Sequence, residues 1–417
     1  MSLFMHSNPD RPAILGGTPV FPIRLPLVRP SVPDPDRVAN DVRTILSSGV
    51  LTNGPFVREL EHRAADYFGV RHCVAVASCT AGLMLVLRAS DLGGDVIVPS
   101  FTFAATAHAV VWNGLRPVFC DIDPHTLTLS AAAAQKAIGA RTSAILATHT
   151  YGTPCQLESL GALARQTGIH LFFDAAHAFG SRHLGTAIGG FGDAEVFSLT
   201  PTKVVVAGEG GIIATNDSEL ASRCWIGRDY GNPGNYDCRF VGLNARMSEI
   251  HAAIALASLE DLDARIERRN VLARLYRDAL AGIEGIDLPT VPEGDRSTYK
   301  DFTVLVDADR FGVTAASLAS ALSAEGIETR RYYAPPVHAM EAYRFLAGRN
   351  GSLKTTEDAS SRVLTLPLWT GMADDDVPRV VEAMARIQAS PEARQLLRDG
   401  RRVIMLDDAA HHDRRVG

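Results

Sequence analysis

Between residues 72 and 215 the chain repeatedly sets a short apolar run against a helical segment. CVAVAS leads into TAGLMLVLRAS, and DVIVPSF into TFAATAHAVVWNG, which ends at Gly114. RPVFCDID, TSAILATHTYG, IHLFFDAA, AEVFSLT and GGIIATN follow, with helical stretches such as LESLGALARQTG between several of them. Strands covered on both faces read as continuous apolar runs, not as alternating ones. The pattern therefore predicts an α/β fold with a mostly parallel central sheet covered by helices. In such sheets ligands bind beyond the carboxyl ends of the strands. That rule singles out Ser78, Thr80, Phe103, Asp174, Ser198 and Lys203.

The rest of the chain divides around this block. Residues 1–35 are Pro-rich and read as an irregular arm that wraps over a surface without forming a core. A large domain is expected over 36–265, a smaller C-terminal α+β domain over 266–395, and a charged tail over 396–417. One long helical stretch from near Ser248 serves as the connector. In the small domain DFTVLVDA and ETRRYY read as strands, and AASLASALSAEGI and DVPRVVEAMARIQA as helices.

Composition excludes several classes. A formal charge of −6 over 417 residues gives no general support for nucleic acid or an anionic membrane as partner. The six cysteines form no C-x-x-C pair, so neither a metal site nor a disulfide framework is expected. No apolar stretch is long enough to span a bilayer and the N-terminus lacks signal-peptide features, so the expected location is the cytoplasm.

Asp174 ends the apolar run LFF. A carboxylate buried there needs a cation or several donors. A pyridinium nitrogen is such a cation: at 4 Å and an effective dielectric near 20 the attraction is ~4 kcal/mol. Capping of the next helix is the ordinary alternative. Lys203 follows a Ser/Thr/Pro loop and precedes apolar VVVA. Desolvation there lowers its pKa and makes the amine nucleophilic, although a solvated loop lysine fits the same residues. SCTAGL places Ser78, Cys79 and Thr80 at a helix start, where amides and hydroxyls suit a phosphate or simply cap the helix. Ser198 offers a further hydroxyl. Phe103 can stack on a flat heterocycle or pack in a core.

In this order the segments resemble the DegT/DnrJ/EryC1/StrS family of sugar aminotransferases, which depend on pyridoxal 5'-phosphate (PLP) and share the type I PLP transferase fold. GVLTNGPFVRELE, SCTAGL, PSFTFAATAHA, FFDAAHAFG, FSLTPTKVVVAGEGG and VGLNARMSEIHAA carry the resemblance, which runs from GGTPVFP to LTLPLW. It implies that Lys203 holds PLP as an imine and that Asp174 pairs with the ring nitrogen. It also implies that Phe103 stacks on the ring, and that Thr80, Cys79 (by its backbone) and Ser198 hold the phosphate. Asn244 reaches the phosphate of a neighbouring subunit's cofactor, which makes a homodimer the smallest active unit. Two positions depart from the family pattern: Cys79 stands where Gly is frequent, and His177 where Gln is usual, near the cofactor or substrate.

The implied reaction is transamination, with glutamate as amino donor and pyridoxamine 5'-phosphate carrying the amine into the second half-reaction. The implied acceptor is a nucleotide-linked keto-deoxysugar, with a dTDP-4-keto-6-deoxyglucose type expected. A cyclitol ketone as acceptor, a PLP-dependent sugar dehydratase and a non-catalytic relative are alternatives. The dehydratases carry His in place of the lysine, against Lys203. A nucleotide-dependent oxidoreductase needs a Gly-rich fingerprint where SCTAGL stands. In RRYYAPPVH, Arg330 or Arg331 is expected to meet a diphosphate, and Tyr333 and His338 the sugar, with a solvated surface strand as the alternative.

Overall fold

A computed structural model describes residues 11–31, 34–346 and 351–399. The large sheet has seven strands: β1 (His72–Val76), β2 (Asp95–Pro99), β3 (Arg116–Cys120), β4 (Thr142–Thr148), β5 (His170–Asp174), β6 (Ala194–Ser198) and β7 (Gly211–Thr215). Their spatial order is β1-β7-β6-β5-β4-β2-β3. Pairing is parallel from β3 through β6, and β7 runs antiparallel to both of its neighbours. Every apolar run expected as a strand in this region is one. Strands β2, β6 and β7 are buried at every position, which is why they read as unbroken apolar runs.

The helix α1 (Cys79–Ala89) starts directly after β1 and is capped by Ser78, whose Oγ accepts from the Ala81 amide at 3.1 Å. It lies tight on the sheet, since a Cβ on Gly82 would come within 2.7 Å of Val196. The helix α2 (Ala104–Trp112) follows β2 in the same way, with Phe103 at its start.

The long connector is two helices, α3 (Glu249–Leu259) and α4 (Leu262–Leu280), and not one. Glu260 is extended and Asp261 has φ +55°, so the chain turns sharply between them. The Arg265 guanidinium takes up the Ser258 carbonyl left open at the end of α3, and that of Val204 at 3.0 Å. Helix α4 belongs to two cores. Leu262 and Ile266 pack with the large sheet, whereas Leu272, Ala273, Tyr276 and Leu280 pack with the smaller one.

That smaller sheet is antiparallel, in the order β8 (Ile286–Asp287), β9 (Phe302–Val306), β10 (Val363–Leu366). It is covered by helices Ala315–Ala324 and Asp376–Ala389. ETRRYY is not a strand. After a single bridge between Arg330 and Thr365 the chain turns, with Ala334 N–H donating to the Arg331 carbonyl, and runs into Pro335 and Pro336, which have no amide hydrogen to extend a ladder.

The N-terminal arm does more than wrap. Ile14, Phe21 and Leu25 are buried in the small core, and Glu325 accepts from the Ala13 and Val20 amides at 2.8 and 3.0 Å. A helix over Pro391–Arg398 crosses the expected start of the charged tail, while 400–417 lie outside the described residues. No helix among the described residues is long and apolar enough to cross a membrane.

Candidate active site

A cavity of about 300 Å³ opens at the carboxyl ends of the large-sheet strands. Ser78, Cys79, Thr80, Phe103, Asp174, His177, Ser198, Lys203 and Tyr333 all line it. The sequence-derived residues of the large domain, Asn244 excepted, thus meet in one place.

The carboxylate of Asp174 sits at the last position of β5 and is 3 % exposed. One oxygen accepts from the Thr106 hydroxyl at 2.7 Å, the other from the Ala176 amide at 3.1 Å. Burial raises its pKa above the usual carboxylate value, while Thr106, Ala176 and Lys203 act the other way. No helix directly follows β5 among the described residues, so the helix capping weighed in the sequence is not made; the Ala176 bond closes a turn instead, and Asp174 still faces the cavity. Behind it the His149 amide donates to the Asp174 carbonyl at 3.1 Å. The His149 ring accepts from the Cys155 amide, stands 3.2 Å from Glu195 and stacks on Phe173. This buried network fixes the end of β5 from beneath.

Lys203 follows β6 in a turn closed by its own amide to the Thr200 carbonyl at 3.0 Å. Val205, Val206 and Ala207 after it are buried and root the loop in the protein. Burial lowers the lysine pKa to about 8, and the positive charge of Lys300 adds to the effect. His177 is held well below its usual pKa by burial and by Lys203 and Lys300. It is therefore neutral at pH 7, and its Nδ1 has no hydrogen-bond partner among the described residues.

At the start of α1, Ser78 is committed to capping, which leaves Thr80 as the outward hydroxyl. The Cys79 side chain turns inward beneath the cavity, its sulfur 3.5 Å from the Val196 carbonyl and 4.0 Å from Asp174. Its thiol is pushed well up by burial and stays protonated. Gly211 lets the neighbouring strand approach the backbone of this turn: a Cβ there would meet the Cys79 amide nitrogen at 2.7 Å. Ser198 and Thr200 pair their hydroxyls at 3.3 Å on the same wall. Phe103 is 61 % exposed, which rules out core packing for it.

Three of the four small-domain candidates do not line this cavity. Arg331 spends its guanidinium on the carbonyls of Ser360 and Ser361, at the end of helix α5 (Lys354–Arg362). Arg330 is exposed and pairs with Glu328 at 2.8 Å. His338 pairs with the Ser100 hydroxyl at 2.7 Å and lies 3.5 Å from Glu357. Only Tyr333, 7 % exposed, faces the cavity. Asn244 is exposed outside its own chain's cavity, its Oδ1 accepting from Arg246 at 3.3 Å.

Sequence reasoning missed Thr106, Lys300, Asp301 and Tyr332. The signal for Thr106 was a hydroxyl inside the apolar helix AATAHAVVW. For Lys300 and Asp301 it was a pair of opposite charges leading straight into a fully buried strand. Groups of His, Cys, Asp and Glu able to hold a metal ion are absent among the described residues.

Comparison with known proteins gives concordant matches. The chain is 34% identical over 363 residues to the spore coat polysaccharide biosynthesis protein SpsC of Bacillus subtilis, covering 83% of this chain and 93% of that protein. It is 30% identical over 365 residues to the dTDP-4-amino-4,6-dideoxy-D-glucose transaminase of Escherichia coli, covering 86% and 98%. The crystal structure of DesI in the presence of its TDP-sugar product superposes with a TM-score of 0.88 at 38% identity, covering 94% of this chain and all of that one. The model of the DegT/DnrJ/EryC1/StrS aminotransferase family matches residues 34–385. The chain belongs to that family, and it is an aminotransferase.

Proposed function

We propose that this enzyme moves an amino group from glutamate to a nucleotide-linked keto-deoxysugar, with PLP as cofactor and a dTDP-4-keto-6-deoxyglucose type of acceptor. The observation that carries the reading is a buried carboxylate, Asp174, and a lysine of lowered pKa, Lys203, on one cavity with a helix start and the hydroxyl groups of Thr80, Ser198 and Thr200. The TDP-sugar product of DesI supports a nucleotide-linked sugar, and the name of the E. coli relative a dideoxy one.

The residues fit the cofactor group by group. A heterocyclic N–H would meet Asp174, which the Thr106 hydroxyl and the Ala176 amide hold in orientation and whose burial a cationic partner would offset. A phosphate meets the first amides of α1 together with Thr80 and Ser198. The Phe103 ring, held outward at the start of α2, covers a flat face. His177, neutral and with an unused ring nitrogen, meets a polar ring substituent.

Bound PLP supplies an electron sink next to the substrate carbon. Lys203 supplies the proton chemistry. With a pKa of about 8 its amine takes a proton from the donor carbon and returns one to the acceptor carbon near neutral pH. Asp174 keeps the ring nitrogen protonated, which is what makes the sink effective. To Asn244, exposed outside its own cavity, we assign the cofactor phosphate of a partner subunit, so that two copies complete two sites.

An absorption spectrum tests the reading. The purified enzyme should show the visible band of lysine-bound PLP, lose it to the near-ultraviolet band of pyridoxamine phosphate on adding glutamate, and regain it with the ketosugar nucleotide. A protein that takes up no PLP overturns the proposal. One that exchanges with glutamate but releases a sugar without new nitrogen is a dehydratase.

A further inference from the structure

Asp301 carries a carboxylate oxygen that the protein leaves unused. The residue is 7 % exposed and lines the same cavity as Lys203. Its Oδ1 accepts from the Lys300 ammonium at 2.7 Å, whereas Oδ2 is buried with no hydrogen-bond partner among the described residues. An acceptor buried without a donor is costly, so such an atom beside a ligand cavity points to a group that arrives with the ligand.

The backbone beneath this pair is fixed. Arg269, 4 % exposed on α4, donates to the carbonyls of Thr298, Tyr299 and Lys300 at 2.6–3.1 Å. The Lys300 amide donates to the Tyr151 carbonyl at 3.0 Å, and the Lys300 ammonium lies 5.6 Å from the centre of the Tyr332 ring. The main chain that carries Asp301 is therefore held beside the cavity, and Lys300 holds its Oδ1.

The candidate donors differ in charge. Asp301 already has its charged partner, Lys300, on Oδ1, so the open Oδ2 suits a neutral donor better than a second cation such as the glutamate ammonium. A sugar ring brings neutral hydroxyls, and an O–H on an ionised oxygen is among the stronger hydrogen bonds. Lys300 balances the charge of Asp301, so the pair offers an acceptor without an uncompensated charge.

We propose that Asp301 Oδ2 accepts a hydrogen bond from a ring hydroxyl of the sugar acceptor, making Asp301 a specificity-determining residue and Lys300 the group that positions it. The inference rests on the sugar-aminotransferase reading above. It assigns Asp301 to the acceptor half of the reaction alone.

The test compares the PLP-loaded wild type with Asp301→Asn. Calorimetry measures binding of dTDP-4-amino-4,6-dideoxyglucose and of dTDP, and absorption follows the reaction with glutamate. The substitution should weaken the aminosugar nucleotide ~10- to 100-fold, the range for a hydrogen bond to a charged group. Affinity for dTDP should stay within about twofold, and the glutamate half-reaction, which feels Asp301 only through its charge near Lys203, should change several-fold less than aminosugar binding. Unchanged aminosugar affinity, or an equal loss for dTDP or glutamate, overturns the assignment. If Asp301→Asn does not fold, the wild type answers with singly deoxygenated analogues of the aminosugar nucleotide. One ring hydroxyl must then account for a loss of roughly tenfold or more, and the assignment falls if none does. A wild type that exchanges with glutamate but binds neither dTDP nor the aminosugar nucleotide refutes the acceptor class itself, and this inference with it.

Discussion

The two walls of the cavity are built by different means. One consists of side chains at the ends of strands and starts of helices: Asp174 closes β5, Ser198 closes β6, and Cys79 and Thr80 open α1. The other is made of loops, Tyr332–Tyr333 at a turn and Lys300–Asp301 before β9, the latter held by a buried arginine from a distant helix. The first wall inherits its geometry from the sheet. The second needs its own scaffold, and its chemistry is set by whichever residues the scaffold presents. Cofactor chemistry suits the first kind of wall and choice of substrate the second.

Substitutions should separate the walls by size and kind of effect. Lys203→Ala should cut turnover by about 10⁴-fold, the upper end of the range for loss of a general acid–base group, in a steady-state assay of sugar amination. Near wild-type turnover would dissolve the distinction altogether. Asp174→Asn should cost about 10³-fold, the equivalent of ~4 kcal/mol between charges 4 Å apart at a dielectric near 20, and it should slow both half-reactions equally in stopped-flow absorption. A loss in one half only would move Asp174 to the substrate wall.

A third prediction is a pH dependence. Since the folded-state pKa of Lys203 is lowered to about 8, its amine is protonated below that value and neutral above it. Attachment of added PLP to the PLP-free enzyme should therefore quicken about tenfold per pH unit on the acid side and level off beyond about pH 8. A limb that keeps rising to pH 10 would mean an unshifted lysine. Thr106→Val removes one donor to Asp174 and should slow amination by about tenfold, the worth of one hydrogen bond to a charged group. Activity within twofold would show that Ala176 alone orients the carboxylate. Arg330→Ala is the smallest case. Its exposed pair with Glu328 lies off the cavity, so the KM for the sugar nucleotide should change by no more than about twofold.

The contrast between the walls also explains what the sequence made legible. Residues at strand ends were found because a run such as LFF ending in Asp, or EVFS ending before a Lys loop, announces both the element and the side chain that terminates it. Residues on the second wall depend on tertiary placement. Arg330 and Arg331 look like phosphate ligands in a string of letters, yet the end of α5 needs donors and takes Arg331 for itself. Lys300 and Asp301 look like an ordinary charged pair, and only the fold shows both sealed beside Lys203. The break at Glu260–Asp261 escaped notice for a similar reason. The apolar spacing continues across it, and the partner that makes the turn tolerable, Arg265, lies beyond it.

Helix α4 joins these observations. Its first turns are set in one core, its later turns in the other, and between them Arg269 grips the backbone of the acceptor-side loop through main-chain carbonyls only. A grip on carbonyls is indifferent to side-chain identity. The main chain at positions 300 and 301 is therefore anchored independently of the side chains it presents, while Asp174 stays where the sheet put it. Lys300 and Asp301 form one buried pair that also bears on Lys203, so a change at either has to be matched at the other.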